Sequence, residues 1–170
     1  MKEEIKKVNP FLRLLPVAET LILDALDGIE TLATAKEVFT SGIDSDFKNW
    51  GTNKPGIATK EQVVDVHELV KDGTFAQMFG SLGTDLGKLC LTQAQIRNFC
   101  KKHPNWLRND GCATFFLFKV ADQFFVALVR VRSSGLGVSV RGFGDGWVWC
   151  VENLPRMVVP QLETEKLQVC

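Results

Sequence analysis

The stretch ATFFLFKVADQFFVALVRVRSSGLGVSVRG, residues 113–142, decides the predicted fold. It is rich in β-branched and aromatic residues, and short turn-forming gaps divide it at 121–122 and at 133–135. Such runs are typical of strands, and gaps of two or three residues favour antiparallel hairpins. The stretch therefore predicts a meander of consecutive antiparallel strands.

Two further stretches extend this predicted sheet toward the C-terminus. GWVWCV, at 146–151, has the same strand-like composition and follows another short turn. VVP, at 158–160, suits a short edge strand, because Pro160 has no N–H to donate to a sheet ladder. Together these stretches predict four to five strands within residues 113–160.

Residues 59–103 carry helix signals instead. Three pairs match a capping box, in which a threonine before the helix and a glutamine three residues later bond each other's backbone. Apolar residues at helical spacing follow each pair, and Pro104 prevents the last helix from continuing. The pairs are Thr59/Gln62, Thr74/Gln77 and Thr92/Gln95.

Helices followed by a meander, without β-α-β alternation, predict an α+β fold. We expect a helical N-terminal half packed on a C-terminal antiparallel meander sheet of four to five strands. The loop at 41–59 has three glycines and a proline and suits a boundary. It would separate an N-terminal segment 1–58, of mixed helix, strand and loop, from an α+β core 59–170 with helices over 59–103 and the sheet over 113–160.

Composition narrows the class of protein. The 170 residues are 45% hydrophobic and 24% charged, as in ordinary globular proteins. No run approaches the roughly 20 apolar residues that span a bilayer, so no membrane partner is expected. The five cysteines are odd in number, irregularly spaced and without a CxxC pair. This pattern predicts reduced thiols and a cytoplasmic location.

Charge is unevenly spread along this neutral chain. Residues 97–141 are strongly basic and interleaved with aromatic residues, a composition that suits an anionic partner such as single-stranded nucleic acid. The alternative is that these residues neutralise acidic neighbours in the same fold. The candidate anion-binding residues are Arg97, Lys101, Lys102, Arg108, Arg130, Arg132, Arg141 and Trp106.

The stretch CKKHPNWLRNDGC, at 100–112, concentrates reactive side chains. If the chain bound a metal, the ligands would be Cys90, Cys100, His103 and Cys112, a set that suits tetrahedral zinc. A thiol enzyme would instead use Cys112, with His103 or His67 as base and Asp110 to orient it. The competing interpretation is that Cys100 and His103 continue the buried stripe of Ile96 and Phe99. We predict no metal and no cofactor.

No catalytic constellation stands out, so the leading prediction is a soluble intracellular, non-enzymatic binding or interaction protein with a protein partner. The alternative is a nucleic-acid-associated protein, with a nuclease as one version of it, that uses the basic segment 97–141. A metal- or thiol-dependent enzyme around Cys100, His103 and Cys112 is the third hypothesis.

Overall fold

The structure, a computed structural model, describes residues 8–109 and 113–162. Within those ranges the chain forms three helices, α1 (Asp46–Asn49), α2 (Phe75–Gly80) and α3 (Gln93–Lys102). It also forms eight strands: β1 (Leu12–Leu14), β2 (Leu21–Leu23), β3 (Gly42–Ile43), β4 (Gln62–Leu69), β5 (Ala113–Val120), β6 (Gln123–Arg132), β7 (Gly135–Gly142) and β8 (Arg156–Pro160). Short 3-10 turns lie at Leu32–Thr34, Leu86–Leu89, Pro104–Trp106 and Val151–Asn153.

All eight of these strands belong to one mixed sheet. Its order is β1-β4-β8-β5-β6-β7-β3, and β2 pairs with the start of β4 while β1 pairs with its end. Most pairs are antiparallel, but β8 runs parallel to β5 and β3 runs parallel to β7. Strands from the first 70 residues therefore complete both outer parts of a sheet whose centre is C-terminal.

The predicted α+β fold, with a helical N-terminal half on an antiparallel meander, is wrong. Between residues 12 and 69 the described chain contributes four strands to the sheet, and the sheet is mixed because β8 and β3 each join it in parallel. The physical reason is that both parallel pairs join segments far apart in sequence. Local turn signals indicate hairpins only, and they carry no information on such pairings.

The expected helix after Thr59 is instead strand β4, an interior strand of the sheet. Val64 and Val66 alternate with more exposed neighbours and are buried on one face of the sheet. The β-branched valines suit a strand, and pairing with β1, β2 and β8 outweighs the local helix signal of Thr59 and Gln62.

The other two capping boxes do begin helices. At α2 the Thr74 hydroxyl accepts from the backbone N–H of Gln77, and the Gln77 side chain accepts from the backbone N–H of Thr74. Thr92 and Gln95 make the same pair of bonds at α3. Helix α3 ends at Lys102, just before Pro104, as predicted.

The C-terminal strand expectations are only partly correct. Strands β5, β6 and β7 form consecutive antiparallel hairpins over residues 113–142. The 146–151 stretch is not a strand, and Trp149 makes only an isolated bridge to Gly73. VVP belongs to β8, which lies between β4 and β5 and is not an edge strand. Pro160 is tolerated there because it is the last residue of β8, past the point where β5 pairing ends.

Two hydrophobic cores lie on opposite faces of the sheet. The first face, with Val66, Phe116 and Val129, packs against α3 and the segment that includes Leu32. The second face, with Phe115 and neighbours of opposite parity, packs against α2, the 86–89 turn and Trp149. Strand alternation therefore assigns each side chain of the sheet to one face or the other. No helix in the described ranges is long and apolar enough to cross a membrane.

Candidate functional site

A cavity opens where the sheet divides at one end. Strand β8 pairs with β5 only as far as Phe116. Beyond that residue the backbone N–H of Leu91 donates to the carbonyl of Leu117 at 2.9 Å, so the segment before α3 takes the place of β8. Cys90 packs against the second core and Leu91 belongs to the first. The chain thus crosses between the faces here, and a cleft of about 670 Å³ lies beside the crossing.

Basic and polar groups line this cleft. The start of β4, the end of β5 and the 87–95 segment meet around it. Its lining has three lysines against one glutamate, together with threonine hydroxyls and glutamine amides. We call it the lysine cleft, and its charged lining residues are Lys54, Lys60, Lys119 and Glu61.

The lysines have little local neutralisation. Lys54 and Lys60 are exposed, and neither has an ion pair within 4 Å in the described part of the chain. The ammonium of Lys119 is 4.0 Å from the carboxylate of Asp122, which is fully exposed. An exposed pair at that distance contributes little. The cleft therefore presents a net positive potential to solvent.

The outer wall of the cleft, the 54–60 loop, is held by backbone contacts with an earlier turn. Leu26 and Thr59 exchange two backbone hydrogen bonds, of 2.9 and 2.8 Å, and the N–H of Gly56 donates to the carbonyl of Gly28 at 2.9 Å. Gly28 has a φ of +82°, and a Cβ placed on it would lie 2.0 Å from the carbonyl oxygen of Ile57. Only glycine permits this approach.

A buried glutamine fixes the same wall from the inside. The amide nitrogen of Gln93 donates to the carbonyls of Thr52 (2.6 Å) and Lys54 (3.2 Å), and its oxygen accepts from the N–H of Leu32 (3.0 Å). Gln93 is only 4% exposed and is the first residue of α3. One side chain therefore joins α3, the cleft wall and the 31–34 segment.

Basic residues of α3 neutralise acidic groups in their own fold. Arg97 forms ion pairs with Glu30 and Glu37, and Lys102 pairs with Asp24 at 2.7 Å. Hydrogen bonding from Arg97 lowers the pKa of Glu37, and the Lys102 bond likewise lowers the pKa of Asp24. For Arg97 and Lys102 the structure thus supports neutralisation of neighbouring acids.

The remaining basic candidates are divided between the two faces. Arg130, Arg132 and Arg141 share the second face, because their strand neighbours Val129 and Val140 belong to the first core and Val131 packs against it. Lys101, by contrast, is an exposed residue of α3, which packs on the first core.

Arg108 and Trp106 lie beyond the end of α3. The guanidinium of Arg108 donates to the carbonyl of Asn153 at 3.1 Å. Trp106 is half-buried against the first core, and its carbonyl accepts from Arg156. The eight residues predicted for an anion site therefore do not form one surface.

Of the predicted metal ligands, Cys112 lies outside the described residues, and Cys90, Cys100 and His103 do not converge. Cys100 is buried in the first core, whereas Cys90 packs against the second, so the sheet lies between them. His103 packs on Phe99, and its Nε2 bonds the carbonyl of Ile22 at 3.0 Å. No three His, Cys, Asp or Glu side chains in the described ranges are placed to share a metal.

Of the predicted thiol site, the structure describes only the two alternative bases, His67 and His103. Cys112 and Asp110 lie outside the described residues. His67 points to the second face, and burial lowers its pKa. His103 lies on the first-face side. The two candidate bases thus lie on opposite sides of the sheet.

We expect the described thiols to differ sharply in reactivity. Burial raises the pKa of Cys90 to about 11 and the pKa of Cys100 still further, while Cys150 is exposed. A rise of two pKa units lowers the fraction of thiolate at neutral pH about a hundredfold.

At neutral pH, N-ethylmaleimide should label Cys150 first. Cys90 should react about a hundredfold more slowly than the thiol of glutathione does, and Cys100 should react only after unfolding. Peptide mass spectrometry measures each rate, and labelling of native Cys90 at the rate of the unfolded chain would contradict the expectation.

Sequence reasoning missed the lysine cleft. Lys54 lies in the 41–59 loop, Lys60 follows that loop directly, and Lys119 is near the end of β5 about 60 residues later. The signal present in the sequence was KPGIATK, residues 54–60, a short loop with a lysine at each end.

No protein-family model matches this chain, and no curated protein or solved structure is significantly similar to it, so its site is interpreted from its own geometry.

Proposed function

We propose that this chain is a binding protein, not a catalyst, and that the lysine cleft holds a small anionic ligand. The supporting observation is the cleft itself: about 670 Å³ with three lysines and one glutamate in its lining. That volume suits a small molecule, and a few placed polar groups are typical of such sites. Ammonium groups with weak local partners favour carboxylate or phosphate.

A binding function agrees with the chemistry of the lining. The nucleophile candidate in the cleft is Cys90, and burial keeps it protonated at neutral pH. A protonated thiol is a poor nucleophile. The cleft thus offers recognition groups, and its described residues offer no activated base beside this thiol.

We also propose an intracellular location for the protein. Cys90, Cys100 and Cys150 are free thiols in the structure. Unpaired cysteines of this number are typical of proteins in reducing compartments.

Titration with sodium citrate and with pyrophosphate at low ionic strength tests the proposed ligand class. Isothermal titration calorimetry should show one site per chain for at least one of these anions. Lys54→Gln, Lys60→Gln and Lys119→Gln should each weaken binding about tenfold, because a hydrogen bond to a charged group contributes about 1.5 kcal/mol or more.

Lys36→Gln is the matched control for this titration, since Lys36 is an exposed lysine outside the cleft lining. It should bind the anion as the unmodified chain does. Absence of binding by both anions, or equal weakening by the control, would exclude the lysine cleft as their site.

A further inference from the structure

A second basic surface lies on the second face, over β6, β7 and β3. It is a groove of about 290 Å³ whose lining includes Arg130, Arg132, Ser139 and Gly137. Helix α2 and the 86–89 turn cover other parts of this face, at β5 and β8. We call this surface, lined also by Gly42 and Asp44, the arginine trough.

No side chains stand on the floor of the trough at Gly42 and Gly137, because glycine has none. A Cβ placed on Gly42 would have no atom within 4 Å, and one placed on Gly137 would meet nothing closer than 3.7 Å. Gly42 and Gly137 are paired across β3 and β7, and Ser139 is the next residue of this face along β7. An extended chain can therefore approach the backbone of the sheet here.

Within the described residues, the two arginines of the trough have no acidic partner. The Nε of Arg130 is buried without a hydrogen-bond acceptor. The Nε of Arg132 lies 3.7 Å from the Cβ position of Gly137, which places it over the trough floor. Neither arginine forms an ion pair within the described part of the chain, in contrast to Arg97.

Asp44 is the acidic residue in the lining, and both of its carboxylate oxygens accept hydrogen bonds from the backbone. One carboxylate oxygen of Asp44 accepts from the N–H of Asp46 at 2.9 Å, and the other accepts from the N–H of Val140 at 3.3 Å. Asp44 thus closes the outer edge of β7, and the net charge of the trough stays positive.

The basic surface continues along β7. Arg141 is on the same face, four residues beyond Gly137, which corresponds to roughly 13 Å along the strand. It pairs with Asp145 at 3.3 Å, and both side chains are partly exposed. The paired Arg141 therefore lengthens the surface, while its unneutralised positive charge within the described residues comes from Arg130 and Arg132.

We propose that the arginine trough binds a single strand of nucleic acid through its phosphates. Guanidinium groups bind phosphate in a fork geometry, and open sheet faces accept single strands. Phe115, Phe116 and Phe118 are buried and provide no stacking platform. Binding then depends on phosphate contacts, is indifferent to base sequence and is strongly sensitive to salt.

Fluorescence anisotropy with labelled oligo-dT and oligo-rU of about 15 nucleotides tests this proposal. Affinity is measured from about 20 to 200 mM salt, and log K is plotted against log salt concentration. Two phosphate contacts give a slope of about −1.4 or steeper. Arg130→Gln and Arg132→Gln should each reduce the magnitude of the slope by about 0.7.

Gly137→Val tests the trough geometry without changing charge. Valine suits a strand, so the fold should persist by circular dichroism, while its side chain raises the floor. Affinity for oligo-dT should fall at least about tenfold, or 1.4 kcal/mol. Lys101→Gln is the charge-matched control, because Lys101 is an exposed residue of α3. It should leave the slope unchanged.

Four results would overturn the proposal. The first is no oligonucleotide binding at the lowest salt, and the second is a slope that neither arginine variant alters. The third is equal competition by poly-glutamate, which would indicate an acidic polypeptide as the occupant. The fourth is loss of oligonucleotide binding in the combined Lys54→Gln, Lys60→Gln and Lys119→Gln variant, which would place the nucleic acid in the lysine cleft.

Failure of anion titration at the cleft leaves the trough proposal unaffected, since the two sites share no lining residue.

Discussion

Replacing Gln93 by leucine is expected to lower the free energy of unfolding by about 3 kcal/mol, because two buried backbone groups lose their partners at once. The N–H of Leu32 and the carbonyl of Thr52 both bond the Gln93 amide, and both residues are completely buried. Leucine fills a similar volume but offers neither donor nor acceptor. Urea denaturation followed by tryptophan fluorescence measures the change.

Gln77→Leu is the control for this change. The Gln77 side chain also bonds backbone, at the N–H of Thr74, but it does so at the surface, where water can replace it. We expect a loss of about 1 kcal/mol or less. If the two variants lose equal stability, burial of the Gln93 contacts is not the cause. Gln93→Leu should also weaken anion binding, since the amide holds the 52–54 part of the cleft wall.

Replacing Gly28 by alanine is expected to cost more than about 2 kcal/mol. An L-residue at its positive φ is strained by about 1–2 kcal/mol, and the added methyl group overlaps the carbonyl of Ile57. The 56–59 backbone must then move away, which breaks the two hydrogen bonds between Leu26 and Thr59. Thermal unfolding measures the stability, and anion titration measures the effect on the cleft.

Gly51→Ala separates the backbone strain at positive φ from the overlap with the carbonyl of Ile57. Gly51 has a similar φ of +67°, but a Cβ there meets no atom within 4 Å. Its loss should be about 1 kcal/mol, the strain alone. The excess loss in Gly28→Ala then measures the overlap with the cleft wall. A Gly28→Ala variant that is no less stable than Gly51→Ala, with unchanged anion affinity, would show that the wall does not depend on this contact.

The features of the fold that are encoded locally could be predicted from the sequence. Hairpins β5-β6-β7 follow from alternating apolar residues and turns of two or three residues, which interact within a short stretch of chain. The starts of α2 and α3 follow from Thr74 and Thr92, whose hydroxyls bond the backbone three residues later.

The features that depend on distant pairing could not be predicted in this way. Thr59 and Gln62 carry the same capping signal as Thr74 and Gln77, yet the residues that follow form β4. Three other strands pair with β4, and these partners lie as far away as residue 160. Pairing with these strands and burial of alternate valines decide that this segment is a strand and not a helix. The capping signal of Thr59 and Gln62 contains neither kind of information.

The same limit applies to the candidate sites. Arg130 and Arg132 share a face by alternation along one strand, so sequence reasoning could place them together. The lysine cleft joins Lys54 and Lys60 to Lys119 through the divided sheet. That division lies where β8 stops pairing with β5, and these two strands are far apart in the sequence. Basic residues also differ in their partners. Only the structure separates Arg97, which pairs with Glu30 and Glu37, from Arg130, which has no ion pair among the described residues.

The central position of β8 has a consequence for synthesis on the ribosome. Strands β1, β2 and β4 emerge early, and β5, β6 and β7 emerge later, but residues 156–160 must leave the ribosome before β4 and β5 can belong to one sheet. Until then both strands present unpaired backbone edges, which favour association between chains. Non-local pairing of this kind is also slow to form. The nascent protein therefore has an aggregation-sensitive interval that ends only when β8 inserts, and chaperones that shield strand edges would act in this interval.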